Sequence, residues 1–181
     1  MKDKLIKAAM SMWQQHGYNN ISINQICKSC GVTKGSFYHH FLNKESVILE
    51  YYNQCLDEAQ LDVDEDGSFI SQIFELLKIS TVPLMDLNAD IITAFLNSSR
   101  INETLNCRND SFSDTAVYEH MVSCCRKGQQ CGEIRDSHPA ETLIDTVLIA
   151  MTGNFYLWVA EQKSFDLFEK DLQQLNIILK S

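Results

Sequence analysis

The residues whose types and spacing could do chemistry crowd between positions 33 and 44: Thr33, Lys34, Gly35, Ser36, Tyr38, His39 and Lys44. They offer hydroxyl, ammonium, phenol and imidazole donors, which suit an acceptor-rich partner such as phosphate oxygens or base edges. Thr33 is placed to cap a helix running from Lys34 to Phe41, with Val32 and Phe37 in the hydrophobic staple positions around it. Small residues at the leading end let that end approach a duplex, and the free amides there favour phosphate. Gly35 inside the helix costs about 1 kcal/mol relative to Ala. That cost makes sense where a Cβ would collide with DNA.

Other elements must hold this helix out. Ser22-Ile23-Asn24-Gln25 has the capping-box form, with Ile21 and Ile26 as its staple, so a helix runs from Ile23 to Cys30. Gly31-Val32-Thr33 then makes a tight turn into the second helix, the geometry by which a helix is inserted into the major groove. Asn43 caps a further helix, with Leu42 and Val47 repeating the staple. Ahead of these, Leu5, Ala9, Met12 and Trp13 recur at helical spacing and Gly17 offers a stop. Ile26, Cys27, Val32, Phe37 and Phe41 form the small core between the helices.

Residues 5–52, including GVTKGSFYHHFLNKESVILEYY, resemble the N-terminal domain of the tetracycline-repressor (TetR) family. The shared pattern is a Gly-Val-Thr-Lys-Gly run, an aromatic Tyr-His-His-Phe cluster and a Lys-Glu pair opening the fourth helix. The resemblance implies that Ser22, Thr33, Lys34, Gly35, Ser36, Tyr38, His39, His40 and Lys44 contact operator DNA. Lys34 and His39 would meet base edges, and Tyr38, Ser22 and Lys44 phosphates. For Tyr38 and His40 the alternative is simple packing against the first and fourth helices. Cys27 and Cys30 stand where the family commonly has Ala, and both are small enough to preserve packing.

Charge agrees once it is divided. The chain of 181 residues carries a net −9, but residues 1–50 hold six Lys against Asp3, Glu45 and Glu50. That head is +3 and the remaining 131 residues are −12, so DNA is attracted at one end and repelled elsewhere. Two Pro and seven Gly favour helices with short connections. The expected fold is all-α with about nine helices. A helix-turn-helix head over residues 1–50 precedes a helical ligand-sensing and dimerisation body over 51–181. Beyond Leu61 an acidic linker, Asp62 to Gly67, leads to helices at roughly 68–82, 89–105 and 113–127, then a turn from Gly128 to Gly132. Two long helices follow, one opened by Pro139 and running to Gln162, the other starting at Ser164. No stretch reaches 18 uninterrupted apolar residues and the N-terminus lacks signal-peptide character, so a cytoplasmic protein without a membrane partner is expected.

Family resemblance implies a homodimer through the last two helices and a pocket for a small-molecule effector of unknown identity. Leu143, Val147, Ala150, Met151 and Trp158 on one helix, and Phe168, Leu172, Leu175 and Leu179 on the other, fit such an interface or an internal core. Phe74, Leu77, Met85, Phe95, Met121, Phe155 and Trp158 are pocket candidates, with His120, Asn154 or Tyr156 as polar fixers. Each of these is more often plain core. Binding of the effector would release the operator by favouring a body conformation with mis-spaced heads.

Several sharper signals weaken on inspection. Asp62 to Phe69 matches eight positions of a calcium loop, but Ile73 stands where the bidentate Glu is needed. Cys27-Lys28-Ser29-Cys30 is a lone C-x-x-C within a helix, without a second pair at zinc spacing. A thiol- or metal-responsive regulator through Cys107, Cys124, Cys125 and Cys131 is the alternative within the same fold; it needs an exposed, acidic thiol. An architectural DNA-binding protein without a ligand is another. No nucleophile–base pair or phosphate loop supports an enzyme, and no cofactor or metal is called for.

Overall fold

The computed structural model describes residues 1–59, 63–64, 66–97 and 116–180. Among these residues the chain is all-α: α1 (Lys2–His16), α2 (Ile23–Cys30), α3 (Lys34–His40), α4 (Lys44–Glu58), α5 (Phe69–Met85), α6 (Ala89–Leu96), α7 (Ala116–Cys131), α8 (Ala140–Ala160) and α9 (Leu167–Leu179). Leu61, Asp62, Glu65 and Cys107, and the expected helical stretches 98–105 and 113–115, lie outside the described residues. Two compact units are formed, Met1–Ala59 with Pro83–Ile101 and Gln60–Val82 with Asn102–Ser181. The first therefore keeps all of α4 and also recruits α6, whereas the sequence suggested a boundary near residue 50.

In the first unit α1 buries Leu5, Ile6, Ala9, Met10 and Trp13 on one stripe. It meets α2 and α4 there, and α4 in turn packs on α6 through its own Val47 and Ile48 and through Ile91, Ile92 and Phe95. Tyr52 and Phe95 meet with ring centres 5.0 Å apart. Two of the three expected staples have both members inside or partly inside, but Leu42 is 83% exposed. The third is not made: the chain enters α4 with Leu42 turned away from Val47.

The second unit is built on Ile73, Leu76, Met121, Cys125, Ile144, Val147, Leu175 and Leu179, from α5, α7, α8 and α9. The expected turn at Gly128 is instead continuous helix. A Cβ there would lie 2.6 Å from Ile134 Cδ1 and 3.2 Å from Phe69 Cβ, so glycine permits close packing, and Gly132 at φ +81° ends the helix. Glu133 just beyond reaches back to cap α5, accepting from the N–H groups of Phe69 and Ile70 at 3.0 Å each. Arg135 performs the opposite service for α9, donating to the carbonyls of Ile177 and Lys180 at 2.7 and 2.9 Å. By length and composition α8 is apolar enough to cross a membrane. Its Leu143, Ile144, Val147, Met151, Phe155 and Trp158 are nevertheless buried within the unit. Gln162 and Lys163 turn through positive φ, the Trp158 indole donates to Phe165 O, and Asp166 rather than Ser164 caps α9.

Candidate nucleic-acid interface

The turn between α2 and α3 is set by local bonds. The Ser22–Gln25 capping box closes both ways, with Gln25 Oε1 accepting from the Ser22 amide at 2.9 Å and its hydroxyl at 2.6 Å. Gly31 ends α2 at φ 66°, ψ 33°, a left-handed position that costs glycine nothing. Lys4 Nζ donates to Cys30 O at 3.0 Å, tying that helix end to α1. Thr33 Oγ1 then accepts from Ser36 N at 3.2 Å and starts α3.

On α3 only Phe37 is fully buried; its ring lies 5.3 Å from that of Phe41, and together they anchor the helix. Thr33, Lys34, Gly35, Tyr38 and His39 are exposed, and Ser36 and His40 are half-buried. Tyr38 is 54% exposed, so packing against α1 does not account for it. A Cβ on Gly35 would meet only Thr33 Oγ1, at 3.7 Å, so nothing within the chain demands glycine there. Ser22 is exposed too, though its hydroxyl serves the capping box.

Lys44 departs from this surface. Its ammonium is turned inward, 2.5 Å from Tyr18 O and 3.8 Å from the centre of the Tyr18 ring, with the Trp13 ring at 5.4 Å. Burial holds its pKa below the usual lysine value, against the opposing charges of Glu45 and Asp90. The Tyr18 hydroxyl donates to Glu45 Oε1 at 2.7 Å, and its N–H donates to Asp90 Oδ2 at 2.5 Å. Burial, then the Glu45 and Asp90 carboxylates, push the Tyr18 phenol far up, so it stays a neutral donor. Tyr18 and Asp90 are the residues that sequence reasoning missed, because no local pattern joins positions so far apart.

The nine ligand candidates are dispersed. Met85 and Phe95 belong to the first unit and the other seven to the second. Leu77 and Met121 are sealed in the second unit's core. Phe74 stands edge-on to Phe168, Phe155 stacks on Trp158, and Asn154 bonds to Asp171 and Gln174. His120 and Tyr156 are exposed, which does not suit fixers of an enclosed ligand. The Cys124 and Cys125 thiols are buried, and burial pushes the latter up to about 11, opposite to what a reactive thiolate needs.

Residues 5–51 match the family model described as bacterial regulatory proteins, tetR family. Over 62 residues the chain is 38% identical to the uncharacterized HTH-type transcriptional regulator YuxN of Bacillus subtilis, covering 33% of this chain and 21% of that protein. The alignment thus spans about a fifth of that relative's length. In structure the chain is similar to Thermus thermophilus FadR, a TetR-family transcriptional repressor in complex with lauroyl-CoA. That likeness has a TM-score of 0.68 at 16% identity and covers 98% of this chain and 92% of the other. It is also similar to BioQ with its double-stranded DNA operator, with a TM-score of 0.62 at 20% identity over 97% and 94% of the two chains. At such identities the likeness is one of fold. The head, residues 5–51, is thus similar in sequence to the tetR family of bacterial regulatory proteins, and the chain as a whole is similar in fold to these solved structures.

Proposed function

We propose that the chain is a cytoplasmic transcriptional regulator, acting as a repressor, whose dimer grips a two-fold operator through two copies of α3. One observation carries the reading: α3 turns a single aromatic inward and leaves Thr33, Lys34, Gly35, Tyr38 and His39 facing solvent. Lys34 and His39 take the base edges, while Tyr38, His40, Ser36 and the Ser22 end of α2 take the backbone. Lys44 contributes from within, holding α4 to the loop after α1. The +3 charge of residues 1–50 supplies the salt-dependent attraction common to such complexes.

Two copies pair through α8 and α9. Ile149, Gly153, Tyr156 and Leu157 form an exposed row on α8, and Leu172 and Ile177, the latter 72% exposed, are the bare apolar residues of α9. An apolar face of this kind needs a cover, and a second copy brings the second recognition helix the operator requires. FadR was crystallised with lauroyl-CoA, which supports a small-molecule effector for the second unit here. The test is a gel shift with DNA flanking the protein's own gene. A retarded complex that Lys34→Ala abolishes supports the reading. Equal retardation of wild type and variant on specific and random duplexes refutes it.

A further inference from the structure

Asp90 stands on α6, seventy-two residues beyond Tyr18, yet its carboxylate bonds to the loop that follows α1. We propose that Asp90 is a positioning residue for DNA binding, acting through Tyr18 on the first turn of α4; this rests on the DNA-reading function above.

Tyr18 is the junction. Asp90 holds its N–H, its carbonyl receives Lys44 Nζ, and its hydroxyl reaches Glu45 Oε1. Lys44 and Glu45 are the first two residues of α4, and only residues 41–43 separate them from the end of α3. Phe41 within that link is pinned against Phe37, so a shift of the α4 start is passed to α3 rather than absorbed. The Asp90 bond joins a carboxylate to a backbone amide, a charge-assisted and directional contact. Its fit to the loop is close: a Cβ on Gly17, which sits at φ +85°, would come within 3.4 Å of Asp90 Oδ2.

A second brace keeps the start of α6 in place. Gln14 on α1 accepts from Asn88 N at 3.0 Å through its side chain, accepts from Asn88 Nδ2 at 2.9 Å through its carbonyl, and donates to Asp86 O at 3.0 Å. Beside Asp90, Thr93, Ala94 and Asn97 of α6 line an open cleft of about 540 Å³ together with Tyr18, Asn19, Asn43 and Glu45. On this side of α6 the hydrogen bond that reaches the loop is the one Asp90 accepts from Tyr18 N–H.

The test is operator affinity by fluorescence anisotropy, with DNA flanking the gene, at a temperature where circular dichroism shows every variant folded. Asp90→Ala is expected to weaken binding about tenfold, and Tyr18→Phe about threefold. Asp90→Asn, which keeps an oxygen acceptor, recovers most of the loss. The slope of log affinity against log salt stays unchanged in all three, since no phosphate contact is removed. A merely stabilising bond would leave the folded protein's affinity unaltered. Binding of Asp90→Ala within about twofold of wild type, or tighter binding through loss of a repelling charge, would overturn the proposal. Should Asp90→Ala fail to fold, Tyr18→Phe decides alone: it removes one hydroxyl, and unchanged affinity sinks the relay. Lys34→Ala separates the two ideas. If it leaves both affinity and salt slope untouched, the DNA-reading function itself fails; if it weakens binding while the relay variants do not, only the relay falls.

Discussion

Asp171 makes stability depend on pH in a direction that runs against ordinary acid denaturation. It is 4% exposed on α9, and its carboxylate accepts from Asn154 Nδ2 on α8 at 2.7 Å. Burial raises its pKa from 3.8 to about 6, with the Asn154 bond and the Lys170 charge opposing the rise. An acid whose folded pKa exceeds its unfolded one costs stability wherever it must ionise in the fold. The cost is absent below 3.8, grows through the interval up to about 6, and is complete above it. The shift from 3.8 to about 6 corresponds to at most about 3 kcal/mol, and relaxation around the ionised carboxylate brings the expected figure to about 1–2 kcal/mol.

Asp171→Asn keeps the side chain's size and an oxygen for Asn154 while removing the charge. Thermal melts of both proteins at about pH 8 and about pH 5 are then compared as differences, which cancels the titration of the five histidines common to both. The variant is expected to melt about 3–6 °C above wild type at the higher pH and to keep only about half of that advantage at the lower. An advantage of the same size at both pH values would show that charge burial is not its cause. A less stable variant at the higher pH would refute the reasoning outright.

Four further outcomes follow from the same geometry. Gly128→Ala is expected to destabilise the protein by about 1–2 kcal/mol in urea unfolding, because crowding against Ile134 outweighs the gain in helix propensity; a neutral result would mean Ile134 moves aside freely. Glu133→Ala removes the cap of α5 and is expected to cost about 1–2 kcal/mol in the same assay, with Glu133→Gln restoring about half. Leu157→Glu on the bare row of α8 is expected to convert dimer to monomer in sedimentation with an unchanged far-ultraviolet spectrum, and an unaltered mass would place the interface elsewhere. Tyr38→Ala is expected to weaken operator binding about tenfold without altering that mass, whereas loss of the dimer would make Tyr38 a structural residue.

The helix-turn-helix was legible because each of its signals is closed within three or four residues. Ser22 with Gln25, Thr33 with Ser36 and Asn43 with Ser46 are caps whose two partners sit side by side in the sequence, and all three form. Elements whose ends are set from afar were not legible. The acidic linker before α5 pointed to nothing beyond itself, yet that helix draws on Glu133, sixty-four residues beyond Phe69. Gly128 looked like a turn because glycine usually is one; only the approach of Ile134 and Phe69 reveals why a helix interior needs it. Leu42 looked like a staple because the spacing allowed it, but spacing does not fix the direction from which the chain enters.

Lys44 shows where this distinction bears on function. Its sequence neighbours, and the family pattern it completes, place it at a helix start beside the recognition helix, where an ammonium would naturally meet phosphate. What turns it inward is a carbonyl twenty-six residues earlier and two aromatic rings on α1 and its following loop. Once inside, the charge must be balanced, and Glu45 and Asp90 do so from α4 and α6. The exposed face of α3 is thus built on locally coded caps, while the polar knot around Tyr18 is one that no local pattern encodes. Substitutions in α3 and substitutions around Tyr18 are accordingly expected to separate in one assay. The first kind removes contacts and, at the cationic Lys34, lowers the salt slope; the second leaves the slope alone and lowers only the affinity.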